Sequence, residues 1–288
     1  MRVRRRTDAI PAPMLFALGA ISLYLGAACA VTLFTRIEPA SVAWLRQLGA
    51  AVVLLVWRRG GRSAWRGRGL LLAAVFGLVT ALMNVFIYEA FARLPLGTAV
   101  ALEFAGPVAV AAFGSRTRRD LAALLAVTAG VLLIADVRWA GSPAGVLFAL
   151  ASAACWAAYI LLGKRVAAAG DGFDSLAVGF AVATVVLAPL AAGTGAVWTS
   201  PRLLLLGVGV GVLSTVVPYA LDQVALRRLG QAGFALLLSL LPVTAAVVGL
   251  VLLRQVPSVV EAVGIALVVG GLVIRRPEPE PDGAAYSR

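Results

Sequence analysis

Four ionisable side chains stand inside long apolar stretches of this sequence: Arg46, Glu89, Glu103 and Asp222. A charge at the centre of a bilayer costs about 2.5–3.5 kcal/mol on insertion scales, so such groups face a partner or an aqueous cavity. Glu103 is the most central, and Gly97, Gly106 and Pro107 flank it. A Gly-Pro pair bends a helix and frees backbone carbonyls, which is tolerated where protein or water is at hand. A carboxyl group so placed can bind and release a proton or hold a substrate ammonium. The plainer alternative is a neutral acid hydrogen-bonded to a neighbour. Arg46, beside Gln47, is permanently charged. It can clamp a substrate carboxylate, act as the counter-charge of Glu103, or tie helices together through backbone carbonyls. Glu89 and Asp222 sit off-centre at mirror-related depths. That suits either a pair of gates or simple placement near headgroup water. Asn84 and Tyr88 share a helix face at i, i+4, and Trp156 and Tyr159 do so at i, i+3. Each pair either lines a cavity or packs helices. Pro218 and Tyr219 precede Asp222 and suit a kink, while Gly207 and Gly211 form a GxxxG of the kind that packs helices closely.

The elements that must hold these residues follow from composition. The chain has 288 residues, 61% hydrophobic and only 13% charged, with a mean hydropathy of +0.98. Soluble domains are about 45–50% apolar and about 25% charged. A soluble fold is therefore excluded and an integral membrane protein is implied. Histidine is absent, which removes His-based metal sites, Ser-His triads and the HExxH zinc motif. About twenty apolar residues in a helix cross about 30 Å of hydrocarbon. Ten such runs are expected, near 13–34, 39–57, 69–92, 95–113, 119–136, 143–163, 173–193, 201–226, 230–253 and 257–274. Pro39, Pro95, Pro143, Pro201 and Pro257 fall near run starts, where a missing N–H does least harm. The first run follows Arg2, Arg4, Arg5 and Arg6 but is long and lacks a clear cleavage site, so it reads as a retained span.

Charge supplies orientation. There are 25 Lys and Arg against 13 Asp and Glu, and the positives lie between the apolar runs, which favours a membrane topology signal over nucleic-acid binding. With the N-terminus inside, only Arg36, Arg93, Arg138, Arg202 and Arg254 fall outside, Arg46 lies within a span, and all the others are cytoplasmic. Both termini are then cytoplasmic. Trp57, Trp139 and Trp198 sit near run ends, as an aromatic belt requires. Cys29 and Cys155 lie within apolar runs and read as small packing residues. The tail PEPEPDGAAYSR reads as disordered. No P-loop pattern occurs, since Gly163-Lys164 lacks the rest of it, so any transport is driven by an ion or solute gradient.

The sequence also repeats. LFAL recurs at 15–18 and 147–150, residues 90–114 align with 224–249 when Pro107 is set on Pro242, and AVTAGVLLI (126–134) resembles ALVVGGLVI (266–274). Two five-span copies follow, 13–136 and 143–274, between a tail at 1–12 and a tail at 275–288. Five is odd, so the second copy enters the membrane from the opposite side. Inverted repeats are the usual architecture of secondary transporters, with the site at the midplane between them.

MNVFIYEAFARLPLGTAVALEFAGPVAVAAF (83–113), ACWAAYILLGKR (154–165) and LSTVVPYALDQVAL (213–226) resemble the threonine/homoserine exporter branch of the EamA-type drug/metabolite transporters. The resemblance spans nearly the whole chain. It implies an all-α, ten-helix protein of the bacterial inner membrane, with two inverted five-helix repeats and a central cavity. It further implies efflux of a small amino acid or related metabolite by proton exchange, with no cofactor. Glu103, Arg46, Asn84, Tyr88, Trp156 and Asp222 fall at positions matching the family pattern. Two acids of that branch are missing: Leu241 stands before Pro242, and Leu253-Arg254 replaces a Gly-Glu pair. Their loss shifts coupling onto Glu103. The alternatives are an importer or facilitator on the same fold and, in another class, a membrane-embedded enzyme or scaffold. An enzyme would need catalytic groups clustered at one interface, and this chain has scattered single acids.

Overall fold

The computed structural model describes residues 10–58, 65–114, 117–139, 141–168, 172–218, 221–222, 224–225, 228 and 237–274. Tyr219, the tail at 275–288 and nearly all of the tail at 1–12 lie outside them. Among the described residues the apolar runs lie on helices and no strand forms. In chain order these are α1 (Ala12–Leu33), α2 (Pro39–Arg58), α3 (Gly67–Phe91), α4 (Leu96–Glu103), α5 (Ala105–Gly114), α6 (Arg118–Trp139), α7 (Pro143–Ala168) and α8 (Gly172–Val186). A 3₁₀ stretch (Ala188–Thr194), α9 (Gly195–Thr199), α10 (Pro201–Gly211), a π turn (Val212–Val216), α11 (Leu240–Leu253) and α12 (Val259–Ile274) follow.

By length and composition α1, α2, α3 and α7 are each able to cross a membrane alone. A fifth crossing arises if α8 and the segment Ala188–Thr199, bent by 69°, count as one broken span. Large apolar side chains including Leu71, Leu125, Leu132 and Val251 stand exposed, as a wall facing lipid requires. Trp139 and Trp198 are exposed at helix ends.

Prolines set where these helices start and break. Pro39, Pro143 and Pro201 open helices and Pro95 is the N-cap of α4, positions where their fixed φ fits and no donor is lost. The run at 95–113 is divided: α4 ends at Glu103 and α5 begins at Ala105. Pro107 has no N–H for the Glu103 carbonyl four residues back, so the helix breaks beside the acid. Pro189 likewise ends α8 at Val186 and tightens the chain into 3₁₀. In the run at 201–226 the π turn sits just ahead of Pro218, which cannot donate to the Ser214 carbonyl. Among the described residues the GxxxG at Gly207 and Gly211 brings no helix into close contact: a Cβ at Gly207 would meet its nearest neighbour at 3.9 Å and one at Gly211 nothing within 4 Å.

Every residue of α4 is buried, so this short helix forms the axis of the core. It packs on α7 and α11, α3 packs on α7 and α8, and α1 and α2 both pack on α10. The helices α6 and α12 run antiparallel. A Cβ on Gly130 would lie 2.6 Å from the Gly264 carbonyl oxygen, and one on Gly271 would lie 2.8 Å from that of Ala123.

One end of the bundle is fastened by ionic and capping contacts. Ser258 and Glu261 form a capping box at the start of α12: the Ser258 N–H donates to Glu261 Oε2 at 3.0 Å and the Glu261 N–H to Ser258 Oγ at 3.3 Å. The same carboxylate, fully buried, accepts two bonds of 2.7 Å from Arg138 and one of 2.7 Å from Thr98 Oγ1. The Leu96 N–H donates to Gln255 Oε1 at 2.9 Å, satisfying an orphan donor of α4. Three helices are thus pinned around one carboxylate. Removing one member of a buried ion pair leaves an uncompensated charge and costs about 3–5 kcal/mol. Arg138→Ala should therefore lower the thermal denaturation temperature in detergent strongly, whereas Val263→Ala on the exposed side of α12 should barely move it.

Candidate functional site

Glu103 ends α4, where the Pro107 break interrupts the span, and its carboxyl group is buried rather than turned to lipid. Oε1 meets Ser152 Oγ of α7 at 2.5 Å, and that hydroxyl also meets the Met83 carbonyl of α3 at 3.0 Å. The close approach of α7 depends on Gly106, where a Cβ would lie 2.0 Å from the Ala153 carbonyl oxygen. Phe104 and Trp156 meet edge to face at 4.9 Å and wall off the same point.

Proton counting makes Ser152 informative. A hydroxyl has one hydrogen to give and two lone pairs to accept with. With Glu103 protonated, the acid can donate to Ser152 Oγ while Ser152 donates to the Met83 carbonyl; with Glu103 ionised, Ser152 is the donor to both oxygens and its one hydrogen is shared between them or turned to the carboxylate. One hydroxyl thus links the charge state of Glu103 to the α3–α7 contact. Ser152→Ala should lower the denaturation temperature in detergent and change its pH profile, read as thermal unfolding across pH. Ser152→Thr, which keeps the hydroxyl, should restore the profile.

Arg46 comes from α2. Its Nη2 donates to the Ser214 carbonyl at 3.0 Å and its Nε to Thr215 Oγ1 at 3.3 Å. The Ser214 carbonyl is the one whose i+4 donor Pro218 removes, so Arg46 supplies a donor at the π turn. The helix-tying role considered for this residue is thus present. Among the described residues its Nη1 makes no hydrogen bond, and its guanidinium lies 5.7 Å from the centroid of the Tyr88 ring. Arg46 and Glu103 form no direct ion pair among the described residues, and Tyr24 of α1 is buried in the same core as Tyr88 and Phe104. Ser22 Oγ donates to the Leu213 carbonyl at 2.9 Å, fastening α1 to the same π turn.

Tyr88 is completely buried and its hydroxyl has no hydrogen-bond partner among the described residues; the same is true of both polar atoms of the Gln47 amide. Asn84, one turn from Tyr88, is buried as well. The remaining candidates stand apart. Tyr159 stacks on Phe76 at 4.9 Å, one turn beyond Trp156. Glu89 accepts from the Ala40 N–H at 3.1 Å, near the start of α2, and pairs with Arg93. This is how a carboxylate at a helix N-terminus is ordinarily used. Asp222 lies against α1 at Gly19, where a Cβ would come 3.2 Å from its Oδ1. That is two helical turns, about 10 Å, from Gly26, which faces Ser214.

Ser152, Tyr24 and Thr215 were not singled out in the sequence. Ser152 precedes Trp156 by four residues and so shares its helix face, which was a usable signal. Among the described residues no group of three or more Cys, Asp or Glu could hold a metal ion.

Residues 143–275 match the model of the EamA-like transporter family. The threonine/homoserine exporter RhtA of Salmonella typhimurium (strain LT2) is 34% identical, over 93% of this chain and 94% of its own length. The protein of the same name from Escherichia coli K12 is 32% identical, over 86% of this chain and 85% of its own. A crystal structure of a protein 24% identical to this chain superposes with a TM-score of 0.59, covering 91% of this chain and 96% of that one, a likeness of fold alone.

Proposed function

Because the chain belongs to the EamA-like transporter family, and so is a multi-pass membrane transporter and not an enzyme, we propose that it exports small amino acids of the threonine/homoserine kind, or related metabolites, by proton-coupled alternating access. The working unit is ten spans in two inverted repeats, 13–136 and 143–274, in the bacterial inner membrane with both termini cytoplasmic. The antiparallel contact of α6 with α12 supports the inversion. So does the exchange of partners: α3 packs on α7, and its repeat counterpart α10 packs on α1, the counterpart of α7. The 126–134 and 266–274 likeness falls on the antiparallel pair itself.

The observation that carries the reading is the buried Glu103–Ser152–Met83 chain beside the free Nη1 of Arg46. A protonated Glu103 needs no cation and keeps Ser152 on Met83. Loss of the proton leaves a carboxylate in a dry site, which the ammonium of an amino acid neutralises. Proton and substrate then compete for one group, which is the requirement for exchange. Arg46 holds the substrate carboxylate, Asn84 and Tyr88 lie along the adjoining face of α3, and Trp156 closes the wall. Asp222, Glu89 and Tyr159 serve at a distance from this point, in gating or packing.

The test is a panel of amino acids and metabolites added to purified protein and scored by thermal stabilisation, followed by counterflow of each hit in proteoliposomes. A ligand at a hundred times its Kd stabilises by about 2.7 kcal/mol. Threonine or homoserine should raise the denaturation temperature and exchange across the membrane. Stabilisation by a chemically unrelated compound, with neither amino acid bound or moved, would overturn the substrate class.

A further inference from the structure

A cavity of about 440 Å³ opens at the end of the bundle formed by the α1–α2 and α3–α4 turns and the Gln255 segment. Phe34 and Phe91 line it, with Thr35, Arg93, Pro95 and Gln255 supplying the rest of its mouth. The two phenylalanines also reach inward. Phe34 meets Tyr88 edge to face at 6.0 Å, and Phe91 meets it at 5.9 Å. Tyr88 in turn lies against Arg46, 5.7 Å from ring to guanidinium. One file of side chains therefore runs from the cavity through three aromatic rings to the charged site. The Tyr88 hydroxyl within it is buried and has no bond among the described residues.

An aromatic barrier of this kind resists water and zwitterionic solutes, because ring faces offer water no full hydrogen bond and repel a carboxylate. A buried hydroxyl left without a bond costs about 1–3 kcal/mol. A rearrangement that gives it water or a ligand repays that cost. Glu89 and Arg93 are bound to one another and to the start of α2, so they brace the mouth and do not close it.

We propose that Phe34, Tyr88 and Phe91 form the outer gate, and that the cavity beyond them is the vestibule through which a small zwitterionic solute leaves. The passage of a solute rests on the exporter reading above; the barrier itself does not. The test accordingly uses accessibility and needs no transport. In protein with Cys29 and Cys155 replaced by serine, single cysteines are introduced as Thr35→Cys in the vestibule and Thr215→Cys beneath the gate. Both are treated from outside with a membrane-impermeant thiol reagent. Thr35→Cys should react at least tenfold faster than Thr215→Cys. Adding Phe34→Ala with Phe91→Ala should raise the Thr215→Cys rate at least tenfold and leave the Thr35→Cys rate unchanged, whereas Phe34→Leu with Phe91→Leu should not. Equal rates at the two positions with the aromatic residues intact, or a Thr215→Cys rate indifferent to their loss, would overturn the gate. Unreactive Thr35→Cys would overturn the vestibule. None of these results bears on whether threonine or homoserine is carried, and a failed metabolite panel would leave the barrier standing.

Discussion

Glu103→Gln is expected to reduce export driven by a proton gradient at least a hundredfold while leaving the protein inserted and thermally stable. Glutamine matches glutamate in shape and can still bond Ser152, accepting through its oxygen or donating through its amide. The core around α4, where every residue is buried, therefore keeps its packing. What is lost is the ability to alternate between a protonated and an ionised form. Without a carboxylate no ammonium is attracted, and without a titratable proton no gradient can be spent. Glu103→Asp is the companion variant. It keeps the charge but withdraws it by one methylene from Ser152, so activity should fall by a smaller factor, about ten, measured as radiolabelled substrate efflux from loaded proteoliposomes. Gradient-driven efflux in the glutamine variant at the wild-type rate would remove Glu103 from coupling.

The second large effect is expected at Arg46, where two roles overlap. Its Nη2 bonds the Ser214 carbonyl, whose i+4 donor Pro218 removes, and in the proposed function its Nη1 takes the substrate carboxylate. Arg46→Ala removes both. A hydrogen bond to a charged group is worth about 1.5–3 kcal/mol, so substrate affinity should fall roughly 10- to 150-fold, and an orphaned buried carbonyl costs about 1–3 kcal/mol of stability. The two losses separate in a double-mutant cycle with Pro218→Ala. An alanine there restores an N–H four residues after Ser214, so the helix can satisfy its own carbonyl. Arg46→Ala should cost much less stability in the Pro218→Ala background, while the loss of substrate affinity stays. If the stability cost is the same in both backgrounds, the proline has not created the acceptor that Arg46 fills.

Much of this architecture was legible in the sequence because lipid is an exacting solvent. A helix that must cross hydrocarbon declares itself through an unbroken apolar run, and the runs at 13–34, 39–57, 69–92 and 143–163 lie on the four helices long enough to cross alone. Glu103 was legible for the same reason, since an acid in such a run needs an explanation. The breaks were only half legible. Pro107 announced the break, which falls at the residue whose carbonyl it cannot serve, but the packing of α7 against Gly106 beside it left no mark in the sequence. Contacts between distant segments left no periodic mark. Ser152 is one of several serines among small residues, and only the fold puts it on Glu103. Glu261 was overlooked although Ser258-x-x-Glu261 has the spacing of a capping box; its pairing with Arg138 spans 123 positions. Glu89 and Asp222, alike in depth along the sequence, have different surroundings. One braces the start of α2 and the other rests against Gly19 of α1.

The central claim is that proton and substrate ammonium compete for the Glu103 carboxyl group, and the most direct measurement is proton release on binding. Threonine is titrated into purified protein in weakly buffered detergent, at a pH where the free carrier holds its proton, and the acid set free is recorded against the amount bound. The account predicts up to one proton released per substrate in the wild type and none in Glu103→Gln. Substrate binding to the wild type without proton release across the whole accessible pH range, or undiminished release in the glutamine variant, would contradict it.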